Sequence, residues 1–210
     1  MTVRTVITTH ETRTTHPRNR MGTVGGMTET PLPQQVVDPE TFRSIMSAFP
    51  SGVTVVTTLD SAGAPVGVTC SAACSVSQEP PLLLVCLHRA SSVLAALVER
   101  GGFVVNFLRD NSAETSALFA SRTGDRFASV PWEAQPRSGL PWLPWDTVAH
   151  AECQVVQTVE AGDHVVVLGA ITQGAAHEAR GPLLYWRRRY GTWPAEEDTM
   201  AVALTHATEG

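Results

Sequence analysis

The stretch "AHAECQVVQTVEAGDHVVVLGAITQGAAHE", residues 149–178, decides the fold. Two segments rich in valine and other β-formers flank Ala161-Gly162-Asp163, a turn signal of the kind that joins antiparallel strands. Neither segment carries the 3.6-residue spacing of an amphipathic helix, so both read as long strands in a hairpin. His164 opens the second strand. On local grounds it is a strand-edge residue, a cofactor contact or a catalytic group, and the stretch alone leaves all three open.

Working outward, the neighbouring segments extend the β pattern. "VTVVTTLD" (53–60) is β-branched, and "SAGAP" after it is a turn. "VGVTCSAACSVS" (66–77) alternates small and polar residues and is expected to form one strand. "PPLLLVCLH" (80–88) is an apolar run behind two prolines, and "FVVNFL" (103–108) is another strand. Helices are few. "DPETFRSIMSAFPSG" has Asp38 as cap, Pro39 at the first helical position and Phe42, Ile45, Met46 and Phe49 at helical spacing. "ASSVLAALVERGG" has Ser91 or Ser92 as cap and Gly101 as stop, and "DNSAETSALFAS" (110–121) has a capping-rich, acidic start. Residues 122–147, with four prolines and three tryptophans, form a long loop, a type of connection that is usually functional or packs as its own surface. "PLLYWRRRYGTW" (182–193) is a last strand or an aromatic coil.

Many short strands and no strand–helix alternation argue for a mainly β fold, a closed barrel rather than a doubly wound sheet. Residues 1–36 are crowded with threonine and lack a sustained period, so they are expected to be a disordered arm, with Met21 and Met27 as alternative starts. The folded domain then runs from 37 to 193, and 194–210 is a tail, weakly helical or frayed.

Composition narrows the function. Hydrophobic residues make up 43% and charged residues 17%, as in a folded globular chain. A net charge of −5 argues against a nucleic-acid partner. No apolar run is long enough for a membrane helix, and the first thirty residues hold no secretory core, so a cytoplasmic location and no membrane partner are expected. Cys70, Cys74, Cys86 and Cys153 form no C-x-x-C pair and are expected to be reduced thiols used as small buried hydrophobes, with no metal site. Dinucleotide-binding and phosphate-loop glycine motifs, the nucleophile elbow and the zinc-protease helix are all missing.

Three stretches hold candidate chemistry. "TCSAACSVS" (69–77) offers small side chains that let a flat ligand approach the backbone, or a tight strand crossing. "HRASS" (88–92) puts hydroxyls at a helix N-terminus, which suits a phosphate as well as ordinary capping. "WRRRYG" (186–191) sets three arginines between aromatics, suited to stacking and anions or simply solvated.

Taken in order, "FRSIMSAFPSGVTVVTT", "GVTCSAACSVSQEPPLLLVCLHRASS", "GGFVVNFL", "LFASRTGDRFASVPW", "GDHVVVLGAI" and "PLLYWRRRYG" resemble the flavin reductase-like domain over about residues 38–193. The resemblance is to the short-chain NAD(P)H:flavin oxidoreductases that serve two-component flavin-dependent monooxygenases. It implies a split β-barrel with a few short flanking helices, FAD or FMN as flavin, and NADH or NADPH as hydride donor, with NADH preferred. It also implies a homodimer and a separate monooxygenase that receives the reduced flavin. By the same resemblance Pro65, Val66, Gly67, Val68, Thr69, Ser71 and Ala72 line the isoalloxazine, and Cys86, Leu87 and His88 form the loop after the next strand. Ser91 and Ser92 lie near the ribityl phosphate, and the ring of Phe119 packs near the flavin. His164 contacts nicotinamide and flavin, and Tyr185, Trp186, Arg187 and Arg188 belong to the nicotinamide segment. Two departures stand out: Ser71-Ala72-Ala73 lacks the aromatic or glycine of many relatives, and Arg188 stands where many carry glycine. A non-catalytic flavin carrier or sensor and an oxidase of the pyridoxine-phosphate type are the competing readings.

Overall fold

The hairpin expected over 149–178 is the longest feature of the computed structural model, which describes residues 36–122, 124–177 and 181–193. The arm expected at 1–36, apart from Val36, and the tail expected at 194–210 lie outside the described residues. Strands β9 (Thr147–Ala161) and β10 (His164–Ala176) pair antiparallel across Gly162, which takes a left-handed φ of 63° that only glycine adopts at no cost.

Ahead of the hairpin come α1 (Pro39–Ala48), β1 (Ser51–Gly52), β2 (Thr54–Leu59), β3 (Pro65–Cys70), β4 (Ala73–Ser77), β5 (Leu82–His88), α2 (Ser92–Arg100), β6 (Gly102–Leu108), α3 (Ala113–Ala120), β7 (Glu133–Ala134) and β8 (Pro141–Trp142). After it come β11 (Leu183–Trp186) and β12 (Arg189–Thr192). Seven strands form one antiparallel sheet in the order β3-β2-β6-β9-β10-β5-β4. Burial alternates along β5 and the first half of β10, and the inward side chains Val56, Leu83, Val85, Phe103, Val105, Cys153, Val165 and Val167 form a core that Leu94 and Leu97 of α2 plug. A second core beneath α3 gathers Val53, Val55, Leu108, Phe119, Phe127, Leu143 and Leu183.

Two expectations change. The run 66–77 is not one strand: it is β3 and β4, which lie at opposite edges of the sheet, with Ser71 and Ala72 crossing between them. The reason is local. Thr54 Oγ1 donates to Cys70 O (2.6 Å) and Cys86 N–H donates to Ala72 O (2.9 Å), so the chain leaves one partner and takes up another within two residues. The barrel is therefore split rather than closed, since no ladder joins β3 to β4. The break also leaves Cys74 exposed and Cys86 half-buried, whereas Cys70 and Cys153 are buried as expected.

The "PLLYWRRRYGTW" segment resolves into the β11–β12 hairpin, and the long loop holds the short β7–β8 pair. Among the described residues no helix is long and apolar enough to cross a membrane. Among them, too, no three His, Cys, Asp or Glu side chains are grouped so as to hold a metal ion.

Candidate functional site

The crossing at Ser71 and Ala72 creates the floor of a groove of about 560 Å³. Ser71–Cys74 carry nothing larger than a thiol or hydroxyl, and Leu84 of β5 completes the floor. One wall is α1, through Phe42, Arg43, Met46 and Phe49; the other is Tyr185, Arg187 and Arg188. The α1 helix forms because Asp38 Oδ1 accepts from the Glu40 and Thr41 N–H groups (2.8 and 2.9 Å), which also holds the Asp38 carboxyl below its usual range. Its apolar stripe is not core: Phe42, Ile45, Met46 and Phe49 are 57, 57, 51 and 70% exposed. The β11–β12 hairpin grips the end of this helix, with Arg187 N–H donating to Ser47 O (3.0 Å) and Trp186 Nε1–H to Ala48 O (3.1 Å).

Along β5 the outward side chains are Leu84, Cys86 and His88, so His88 lies about 13 Å along the same strand face from Leu84, beyond the groove lining. There His88 pairs with His164 of β10, their rings edge to face with centroids 5.4 Å apart. The two imidazoles have opposite hydrogen-bonding sense. His164 Nδ1 lies 2.7 Å from Asp163 Oδ1, and because a carboxylate only accepts, the neutral ring carries its proton on Nδ1 and leaves Nε2 as an acceptor. His88 Nδ1 accepts from Ala90 N–H (3.1 Å), so its Nε2 carries the proton and donates. The hydrogen bond from His164 also lowers the pKa of Asp163. Such a donor–acceptor pair matches a primary carboxamide, which offers one carbonyl oxygen and an amino group.

Next to this pair, α2 begins. Ser91 is its N-cap residue, yet its side chain makes no capping hydrogen bond, and it is half-buried. Capping therefore does not account for the hydroxyl, which faces the same helix terminus as Ser92 and suits an anionic group there. Burial pushes the Cys86 thiol upward in pKa, as it does Cys70, and it pushes Cys153 up to about 12, so none of the three is a nucleophile at neutral pH.

The remaining residues singled out from sequence lie elsewhere. Leu87 is buried in the barrel core. Phe119 is fully buried, packed on Phe127 with centroids 5.1 Å apart and filling the space beside Gly67. Thr69 Oγ1 donates to Ser116 O (2.6 Å), and Arg126 Nη1 donates to Gly67 O (2.6 Å). Gly67 and Thr69 are thus held by α3 and its following loop, while Val68 packs on the core and Pro65 and Val66 lie at the start of β3. Sequence reasoning missed Arg43 and Asp163, and reached Ala73 and Cys74 only as part of the 69–77 stretch. Asp163 was legible in principle, since a carboxylate directly before a strand-opening histidine can fix its tautomer.

The chain is 56% identical over 176 residues to a flavin reductase (NADH) of Kitasatospora aureofaciens, covering 83% of this chain and 92% of that one. It is 43% identical to a flavin reductase (NADPH) of Lentzea aerocolonigenes, covering 73% and 89%. The crystal structure of a homologue of nitrilotriacetate monooxygenase component B from Mycobacterium thermoresistibile superposes with a TM-score of 0.72 at 35% identity, covering 77% of this chain and 90% of that one. The flavin reductase-like domain model matches residues 46–194, and with a split barrel of this topology the chain belongs to that family.

Proposed function

We propose that the protein is an NAD(P)H-dependent flavin reductase that delivers reduced FAD or FMN to a separate flavin-dependent monooxygenase. The observation that carries the site assignment is the His88–His164 pair, a donor and an acceptor side by side, on the same face of β5 that supplies Leu84 to a groove floored by small residues. A dihydronicotinamide carries the carboxamide that such a pair reads. The groove volume falls in the range of ligand sites, and its side-chain-poor floor suits a flat ring laid against backbone. Bound flavin supplies a hydride acceptor, so that NAD(P)H, a proton and oxidised flavin give NAD(P)+ and reduced flavin.

The chain's own work is positional. His164 orients the nicotinamide through its carboxamide, Asp163 holds the His164 tautomer, and His88 supplies the complementary donor. Ser91, Ser92 and the first amides of α2 hold the flavin phosphate, and Ser71–Cys74 back its ring. No side chain forms a covalent bond to substrate. Three features support the wider reading. The exposed stripe of α1, continued by Trp186 at 48% exposure, suits a homodimer. The monooxygenase relationship of the Mycobacterium thermoresistibile homologue supports a separate oxygenase partner. The greater similarity to an NADH-using than to an NADPH-using relative supports NADH as the preferred donor. A folded domain over 37–193 and a cytoplasmic location belong to the same proposal.

The test is oxidation of NADH or NADPH by the purified protein with FAD and with FMN, followed at the NADH absorbance band. Turnover with either flavin is expected, and His164→Ala is expected to raise KM for the nicotinamide and slow reduction while the fold persists. No oxidation with any flavin would leave a carrier or sensor as the reading. A hydrogen-peroxide-forming oxidation of pyridoxine phosphate instead would assign the oxidase.

A further inference from the structure

The apolar floor of the groove does not account for the three guanidinium groups on its rim. Arg43 of α1 and Arg187 and Arg188 of the β11–β12 turn line it, and the same three line an adjoining outer recess of about 510 Å³. They therefore stand where the two recesses meet. Among the described residues the arginine–carboxylate ion pair is Arg89–Glu160, so none of the three arginines is paired with a carboxylate there. Glu40 is the single acid in the lining of the outer recess.

Backbone geometry makes the cluster harder to dismiss as a solvated face. Arg187 and Arg188 have φ values of 47° and 62°, and among the described residues they are the only non-glycine residues with positive φ. A two-residue hairpin turn of this hand favours Asn-Gly, so two arginines are locally unfavourable there. Strain of this kind persists where surrounding structure enforces it, and it gathers at binding sites. Here the enforcement is visible: Arg187 N–H and Trp186 Nε1–H tie the turn to the carbonyls of Ser47 and Ala48, so that the turn's arginines line the same two recesses as Arg43. The Arg187 guanidinium also lies over the Trp186 ring, 4.7 Å from its centroid. Three cations that line the same two recesses, with Glu40 the single acid among the lining residues, suit a multivalent anion. The planar fork of arginine matches phosphate oxygens in particular.

We propose that Arg43, Arg187 and Arg188 form a subsite for the diphosphate of a dinucleotide, at the rim of the groove whose floor takes its flat ring. This rests on the flavin-reductase reading. Both FAD and the nicotinamide dinucleotide carry the diphosphate, whereas FMN and dihydronicotinamide riboside do not, and that difference identifies the occupant.

The test uses the full chain with Arg188→Gly, Arg43→Gln and the two combined. Glycine suits the left-handed position, so Arg188→Gly is expected to hold or raise Tm while weakening dinucleotide binding. Opposite signs in stability and affinity are not what a structural role would produce. For the double variant the expected loss is about tenfold, the scale of one or two charge-assisted contacts at an exposed site. If the occupant is the nicotinamide nucleotide, KM for NADH rises relative to KM for dihydronicotinamide riboside. If it is FAD, the Kd for FAD rises relative to the Kd for FMN. In either case inorganic pyrophosphate competes with the dinucleotide in the wild type and less so in the double variant. Both ratios unchanged in folded variants would overturn the subsite, as would a shift in sedimentation with unchanged ratios, which would assign the arginines to an interface between copies. Failure of the underlying reading looks different: the wild type would then oxidise neither donor with either flavin.

Discussion

Single residues decide two features of this molecule, and each has its own test. Gly169 lies where β10 crosses the barrel core. A Cβ built there would approach Phe103 Cζ to 2.6 Å and Cys153 Cβ to 2.9 Å, and both neighbours are fully or nearly fully buried. Neither can yield without moving the core, so Gly169→Ala is expected to destabilise the fold by about 1–3 kcal/mol, read as a lower denaturation midpoint at unchanged slope. Asp163 acts differently. It is an exposed positioning residue whose hydrogen bond selects one His164 tautomer. Asp163→Ala is expected to raise KM for NADH about threefold while leaving Tm and flavin affinity in place, since an exposed pair contributes little to stability. Equal loss of flavin affinity would mean that the imidazole does not serve the nicotinamide.

At the scale of elements, what sequence shows depends on whether an element's partner is near in the chain. The β9–β10 hairpin was legible from its own turn and composition, and its observed limits differ from the expected ones by only a residue or two. The 66–77 run was not. Its composition is uniformly strand-like, and the break at Ser71 and Ala72 is dictated by hydrogen-bond partners on β2 and β5, which local pattern cannot see. The β11–β12 turn was hidden for a similar reason, because Arg187-Arg188 carries none of the Asn or Gly that announces such a turn. Of the groove's lining, Ser71, Ala72, Tyr185, Arg187 and Arg188 were singled out from sequence, and the α1 wall was not. The α1 stripe has the spacing of a core-facing helix, yet the helix has no buried residue. An amphipathic helix with its apolar side in water is an unfinished contact. If a second copy completes it, Ile45→Glu places a charge in that contact without touching the groove lining. The expected result is a monomer by sedimentation at concentrations where the wild type is a dimer, with far-UV circular dichroism unchanged. A wild type that sediments as a monomer would remove the homodimer from the proposal.

At the scale of the whole molecule, stability should depend on pH in a way that one face of the barrel controls. His150 on β9 lies against Trp142 of β8, ring centroids 4.2 Å apart, so the long loop covers it. Burial lowers its pKa from 6.5, and the positive form of His177 lowers it further. The neutral ring is therefore the one the fold accommodates. Above pH 6.5 both folded and unfolded chains hold it neutral, and its contribution is fully present. As pH falls through that value the unfolded chain binds a proton that the folded chain resists, so stability declines until the folded pKa is passed. Asp38, whose carboxyl is held below 3.8, adds a separate loss at lower pH, as protonation weakens the helix cap. The two windows can be separated. His150→Phe keeps a ring against Trp142 and removes the titration, so the decline in Tm just below pH 6.5 should flatten while the acid limb below pH 3.8 stays. An unaltered slope between those limits would show that His150 titrates alike in both states, and that the loop does not keep its face of the barrel dry.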